Sequence, residues 1–125
     1  MLGKDGLKMP AVLIVEDEPL IRMGAVEIIE DAGFEVIEAP GADEAVRILE
    51  CRSDIRVVFT DIHMPGSMDG LKLAHAIRHR WPPIRIIVTS GRGLIAQRDL
   101  PEGGRFFVKP YNSIQITDAL RAWAL

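Results

Sequence analysis

Cysteine is almost absent from this chain of 125 residues. Cys51 is the only one, so no internal disulfide can form and a reducing, cytoplasmic compartment is the expected setting. Long apolar runs are missing too: no stretch approaches the roughly 20 residues that a membrane-spanning helix needs. The first ten residues, with Lys4, Asp5 and Lys8, have no apolar centre and do not form a secretory signal. They read as a flexible N-terminal tail, followed by one domain over residues 11–125. No run of Lys or Arg offsets the net charge of −3, which argues against general nucleic-acid binding. Linkers, internal repeats and low-complexity segments are also lacking. Apolar residues make up 48% of the chain, enough for a real core and too many for disorder.

What is present alternates in period. Five short apolar runs rich in Val, Ile and Phe predict strands: Ala11–Val15, Phe34–Ala39, Ile55–Thr60, Ile84–Thr89 and Arg105–Val108. Several are apolar on successive residues, as parallel strands covered on both faces should be. Helical stripes lie between them. Ile21, Ala25, Ile28 and Ile29 follow Pro19 and stop at Gly33. Ala42, Ala45, Val46 and Leu49 form the second stripe, and Leu71, Ala74 and Ile77 the third. Ile116, Ala119, Leu120 and Trp123 form the last, with Ser113 as the expected N-cap. Residues 91–104 hold four glycines and Pro101, so a helix there should be two turns at most. The reading is an α/β domain with a parallel sheet, helices on both faces, and a shortened or irregular helix between the last two strands.

Chemistry gathers at the strand ends. Glu16 and Asp17 follow the first strand, Asp61 the third, Ser90 the fourth and Lys109 the fifth. In open α/β sheets the carboxyl ends of the strands are where ligands bind. Taken singly, each has an ordinary explanation: acids favour a following helix N-terminus, serines turn and lysines are solvated. Together they suggest a divalent cation, since grouped carboxylates repel one another unless a cation compensates them. Oxygen ligands with room for water suit Mg²⁺. Asp61 is then either a metal ligand only or a nucleophile toward a phosphoryl group, which would give an acyl phosphate. His75 and His79 have a zinc-compatible spacing but sit beside Arg78 and Arg80, so a solvated basic face is the better reading. Gly91-Arg92-Gly93 does not have the spacing of a phosphate-binding loop.

These residues resemble the response-regulator receiver domain of two-component signalling, stand-alone type. Val15-Glu16-Asp17-Glu18 resembles the acidic pair. The segment from Asp61 to Gly70 resembles the phosphoacceptor loop, with one extra residue. Val88-Thr89-Ser90-Gly91 resembles the end of strand four, and Phe106 to Tyr111 the closing Lys-Pro segment. The resemblance implies a flavodoxin-like, doubly wound five-stranded parallel sheet of order 2-1-3-4-5. It implies phosphorylation of Asp61 by a histidine kinase or histidine phosphotransfer protein, without enzymatic turnover. Mg²⁺ would be held by Glu16, Asp17, Asp61 and the backbone carbonyl of His63. Ser90 and Lys109 would contact the phosphoryl group, and Ser90 and Phe106 would switch. Pro110 would follow a cis peptide bond, and His63 and Arg92 would tune hydrolysis. The output would pass from a monomer or weak homodimer to a downstream protein. Thr89 is the competing choice for the switch hydroxyl. Two other readings use the same residues: a Mg²⁺-dependent phosphohydrolase with an Asp nucleophile, and an interaction scaffold indifferent to phosphate. The first would want D-x-D where this chain has Glu16-Asp17-Glu18.

Overall fold

A computed structural model describes residues 9–64, 66, 68–91, 95–123 and 125. Most of the expected tail, residues 1–8, lies outside the described residues, as does Arg92. The chain alternates β1 (Ala11–Val15), α1 (Pro19–Asp31), β2 (Glu35–Ala39), α2 (Ala42–Cys51), β3 (Ile55–Asp61), α3 (Gly70–Arg80), β4 (Arg85–Ser90), β5 (Arg105–Val108) and α4 (Ser113–Ala122). The strands form one parallel sheet of order β2-β1-β3-β4-β5, as expected.

The apolar runs are central strands because both faces of the sheet are covered. Every residue of β1 is buried. Leu13, Val15, Val58, Ile86 and Val88 face α2 and α3, packing with Leu49, Leu73 and Ile77. Val12, Ile14, Phe59 and Ile87 face the other way, against Ile29 of α1 and Ile116 and Leu120 of α4. Each fully buried Leu, Ile or Val contributes about 1.5–3 kcal/mol, so the sheet frame is firm where the strands end.

Some boundaries and caps differ from the sequence reading. β3 runs on through Asp61 and β4 through Ser90, so both polar residues are still in the ladder. β2 starts at Glu35 instead of Phe34, and β4 at Arg85 instead of Ile84. The N-cap of α4 is Asn112, not Ser113. Its side chain accepts from the Gln115 amide, and the Gln115 side chain accepts from the Asn112 amide, a reciprocal capping box. Gly33 does end α1, at φ 97°, a left-handed conformation that a side chain would strain. Between β4 and β5 the described residues contain only a single 3₁₀ turn, Gln97–Asp99. It is pinned by Leu100, which is buried, and by His75 Nε2, 2.7 Å from the Asp99 carbonyl.

Candidate functional site at the strand ends

The sheet order brings the predicted residues together. β1 and β3 are neighbours with Val15 beside Thr60, so the next residues, Glu16 just past β1 and Asp61 at the end of β3, stand side by side. Asp61 pairs laterally with Thr89, and Ser90 with Val108, which places Ser90 and Lys109 on the other flank. One carboxylate oxygen from each of Glu16, Asp17 and Asp61 lies within 4.8 Å of the others. Glu16 and Asp61 are 4% and 6% exposed, so their mutual repulsion is weakly screened.

Lys109 is the cation inside this group. Its Nζ donates to Glu16 Oε1 at 2.8 Å and forms an ion pair with Asp61 Oδ1 at 3.3 Å. The Asp61 contact lacks the alignment of a hydrogen bond, and among the described residues the buried Asp61 Oδ1 has no hydrogen-bond partner. Among the described residues, three carboxylates against one ammonium leave an excess of negative charge. Burial pushes the Glu16 carboxyl above its ordinary range, and the Asp61 charge adds to this; hydrogen bonds from Lys109 and the Glu18 amide pull the other way. Burial works to lower Lys109, but the hydrogen bond to Glu16 and the charges of Asp61 and Glu16 outweigh it and raise its pKa. An acid set with a poorly satisfied buried oxygen fits a hard divalent cation such as Mg²⁺.

The backbone around Asp61 is tightly held. The Ile62 amide donates to the Thr89 carbonyl at 2.9 Å, and the Gly70 amide to the Ile62 carbonyl at 2.8 Å. Gly70 is required at this point: a Cβ there would overlap the carbonyl of Asp61, 2.6 Å from its carbon. Asp69 caps α3 by accepting from the Lys72 amide at 2.9 Å. The end of β3 and the start of α3 are therefore packed as one unit.

Ser90 Oγ lies 3.1 Å from His63 Nε2, whereas the buried Thr89 Oγ1 has no hydrogen-bond partner among the described residues. Phe106 is half-buried against the α2 and α3 side of the core, and Phe107 packs against the opposite side. The Lys109–Pro110 peptide bond is cis. Three contacts add to the sequence reading. The His63 ring meets Ser90; Arg22 of α1 reaches the Glu16 carbonyl at 2.8 Å; and Tyr111 sits edge-on to Phe59, with ring centroids 5.5 Å apart. Burial, with the charges of Glu16 and Asp61, pushes the Tyr111 hydroxyl up to about 12. Tyr111 had a signal in the sequence, two residues after Lys109; Arg22 had none beyond its place in the first turn of a helix.

A family profile described as the response regulator receiver domain matches residues 12–121. The chain belongs to the response-regulator receiver family. Among relatives, the receiver is 35% identical over 114 residues to the sensor kinase CckA of Brucella abortus, covering 88% of this chain and 12% of that protein. The nitrogen assimilation regulatory protein NtrX of Azorhizobium caulinodans is 35% identical over 82% of this chain and 23% of its own length. The transcriptional regulatory protein PdtaR of Mycobacterium tuberculosis is 33% identical over 87% and 54%. The receiver thus spans about half or less of the length of these relatives. Among solved structures, the receiver domain of the hybrid histidine kinase CckA superposes with TM-score 0.77 at 27% identity, covering 92% of this chain and 99% of that one. The response regulator TrrA of Thermotoga maritima, in complex with Mg²⁺ and BeF, gives 0.78 at 26% identity, covering 91% and 98%.

Proposed function

We propose that this receiver accepts a phosphoryl group on Asp61 from a phosphohistidine, supplied by a histidine kinase or a histidine phosphotransfer protein, and relays its state to a partner protein in the cytoplasm. The observation that carries the reading is the buried Asp61 carboxylate, ion-paired with Lys109 Nζ at 3.3 Å, among three clustered carboxylates. A carboxylate oxygen of Asp61 attacks phosphorus, the P–N bond breaks, and the electron pair leaves with the imidazole. Lys109 opposes the negative charge that gathers on the phosphoryl oxygens. Glu16, Asp17, Asp61 and the His63 carbonyl would hold Mg²⁺, which when bound neutralises charge on the same oxygens. Ser90, buried at the end of β4, would turn its hydroxyl from His63 toward a phosphoryl oxygen, and Phe106 would follow into the space released.

The reaction is stoichiometric, one phosphoryl group per chain, and so does not make the receiver an enzyme. Among the described residues no helix is long and apolar enough to cross a membrane. The deciding experiment is incubation with a small phosphodonor and Mg²⁺, followed by intact-mass measurement. The expected result is a single phosphoryl adduct in the parent chain, released by hydroxylamine as an acyl phosphate should be, and none in Asp61→Asn. Equal labelling of Asp61→Asn would refute the assignment, and multiple turnover would favour a phosphohydrolase.

A further inference from the structure

Every polar group of Glu16 has a partner. Its amide donates to the Ala39 carbonyl at 3.1 Å, Oε1 accepts from Lys109, and Oε2 accepts from the Glu18 amide at 3.2 Å. The fourth partner comes from α1: Arg22 Nη1 donates to the Glu16 carbonyl at 2.8 Å. Arg22 is itself oriented, because its Nε donates to Glu38 Oε1 at 3.1 Å. Glu38 precedes Ala39, the residue that receives the Glu16 amide, so β2 holds Glu16 directly from one side and through Arg22 from the other.

The peptide plane makes this contact consequential. The Glu16 carbonyl and the Asp17 amide share one rigid plane, so fixing the carbonyl fixes the direction in which the chain enters Asp17. We propose that Arg22 is a positioning residue for the cation site: it holds the Glu16–Asp17 peptide and thereby aims the Asp17 carboxylate at Asp61. The inference rests on the reading that these acids receive Mg²⁺. Arginine suits the task because separate edges of its planar guanidinium serve the carbonyl and Glu38 together; a lysine ammonium is a point charge without that fork.

Charge and position make opposite predictions, which gives a clean test. Removing a positive charge beside a cation site strengthens cation binding by electrostatics alone. Removing a positioning residue weakens it, and groups that orient metal ligands typically matter 10–100-fold. Mg²⁺ affinity is measured by calorimetry on the full chain, alongside melting without Mg²⁺. Arg22→Ala is expected to bind Mg²⁺ roughly tenfold more weakly, with Arg22→Lys recovering little of the loss. Glu38→Ala, which frees Arg22 and leaves its charge but also removes a carboxylate near the site, is expected to weaken binding by a smaller factor. The double variant should be no worse than Arg22→Ala. Unchanged or tighter Mg²⁺ binding by Arg22→Ala would overturn the proposal. If Arg22→Ala does not fold, parent-like affinity in Glu38→Ala overturns it instead. A parent chain that binds no Mg²⁺ would sink the underlying reading and this inference with it, whereas a binding parent and an indifferent Arg22 would remove the inference alone.

Discussion

At the scale of the residue, the site depends on groups whose roles are separable. Gly70 is the tightest of them. Its Cα faces the Asp61 carbonyl with no room for a methyl group, and overlap with backbone cannot be relieved by rotating a side chain. Gly70→Ala is expected to destabilise the fold by about 3 kcal/mol or more, with Asp61 displaced, as measured by denaturant melts and phosphodonor labelling. Tyr111 reports on the same acids from the other side. Its hydroxyl is held up to about 12 first by burial and then by the charges of Glu16 and Asp61. Phenolate formation adds a like charge, so removing one acid makes ionisation easier. Asp61→Asn is therefore expected to move the onset of tyrosinate absorbance to lower pH, and Tyr111, the only tyrosine, makes the signal unambiguous. An alkaline titration in which the two chains coincide would contradict this electrostatic link. Asp61, Glu16 and Lys109 were legible from order alone, because a polar residue that ends a buried strand stands out. The His63–Ser90 and Arg22–Glu16 contacts were not: one joins residues 27 apart and the other residues six apart, and both depend on side-chain directions that periodicity does not encode.

At the scale of the element, the connection from β4 to β5 is the departure that matters. Its glycines and Pro101 signalled a weak helix, and the described residues retain one 3₁₀ turn. What the sequence could not convey is how so short a segment is fixed. His75, whose spacing to His79 is zinc-compatible, instead bonds the Asp99 carbonyl, while Leu100 enters the core beside α3. The connection is tied to α3 and not only to its flanking strands. His75→Ala is expected to cost about 1 kcal/mol or less of global stability, because the contact is exposed. It should raise amide exchange selectively over residues 95–100, and uniform exchange across the chain would refute the tie. The helices show the same division between what pattern gives and what geometry adds. Apolar stripes located all four correctly, but the cap of α4 fell on Asn112 because its side chain, with Gln115, closes a reciprocal box. Asn112→Ala should lower stability by about 1 kcal/mol in thermal melts.

At the scale of the whole molecule, the acid cluster sets the fold against its own site. The sheet buries Glu16 and Asp61 at the centre of its carboxyl edge, with Lys109 as partial compensation. Glu16 holds its proton to higher pH in the folded chain than its ordinary value, chiefly through burial. The sign follows from linkage: an acid with a raised folded pKa contributes most to stability when both states are protonated, below the unfolded value. That contribution is lost as pH rises through the folded value. Without a divalent cation, the cluster is thus a growing cost toward neutral pH. Mg²⁺ bound at these acids would relieve this cost but would have to displace any proton held there, so cation and proton would compete. Saturating Mg²⁺, at about 100 times its dissociation constant, is expected to stabilise the fold by about 2.7 kcal/mol at neutral pH. The gain should shrink as the medium becomes mildly acidic, because protonated Glu16 no longer attracts the ion. Glu16→Gln should flatten the pH dependence of the Mg²⁺-free chain while reducing the stabilisation by Mg²⁺. Melting curves with and without Mg²⁺ across that pH range measure both effects, and a Mg²⁺ stabilisation that grows on acidification would show that the buried carboxylates are not where the ion binds.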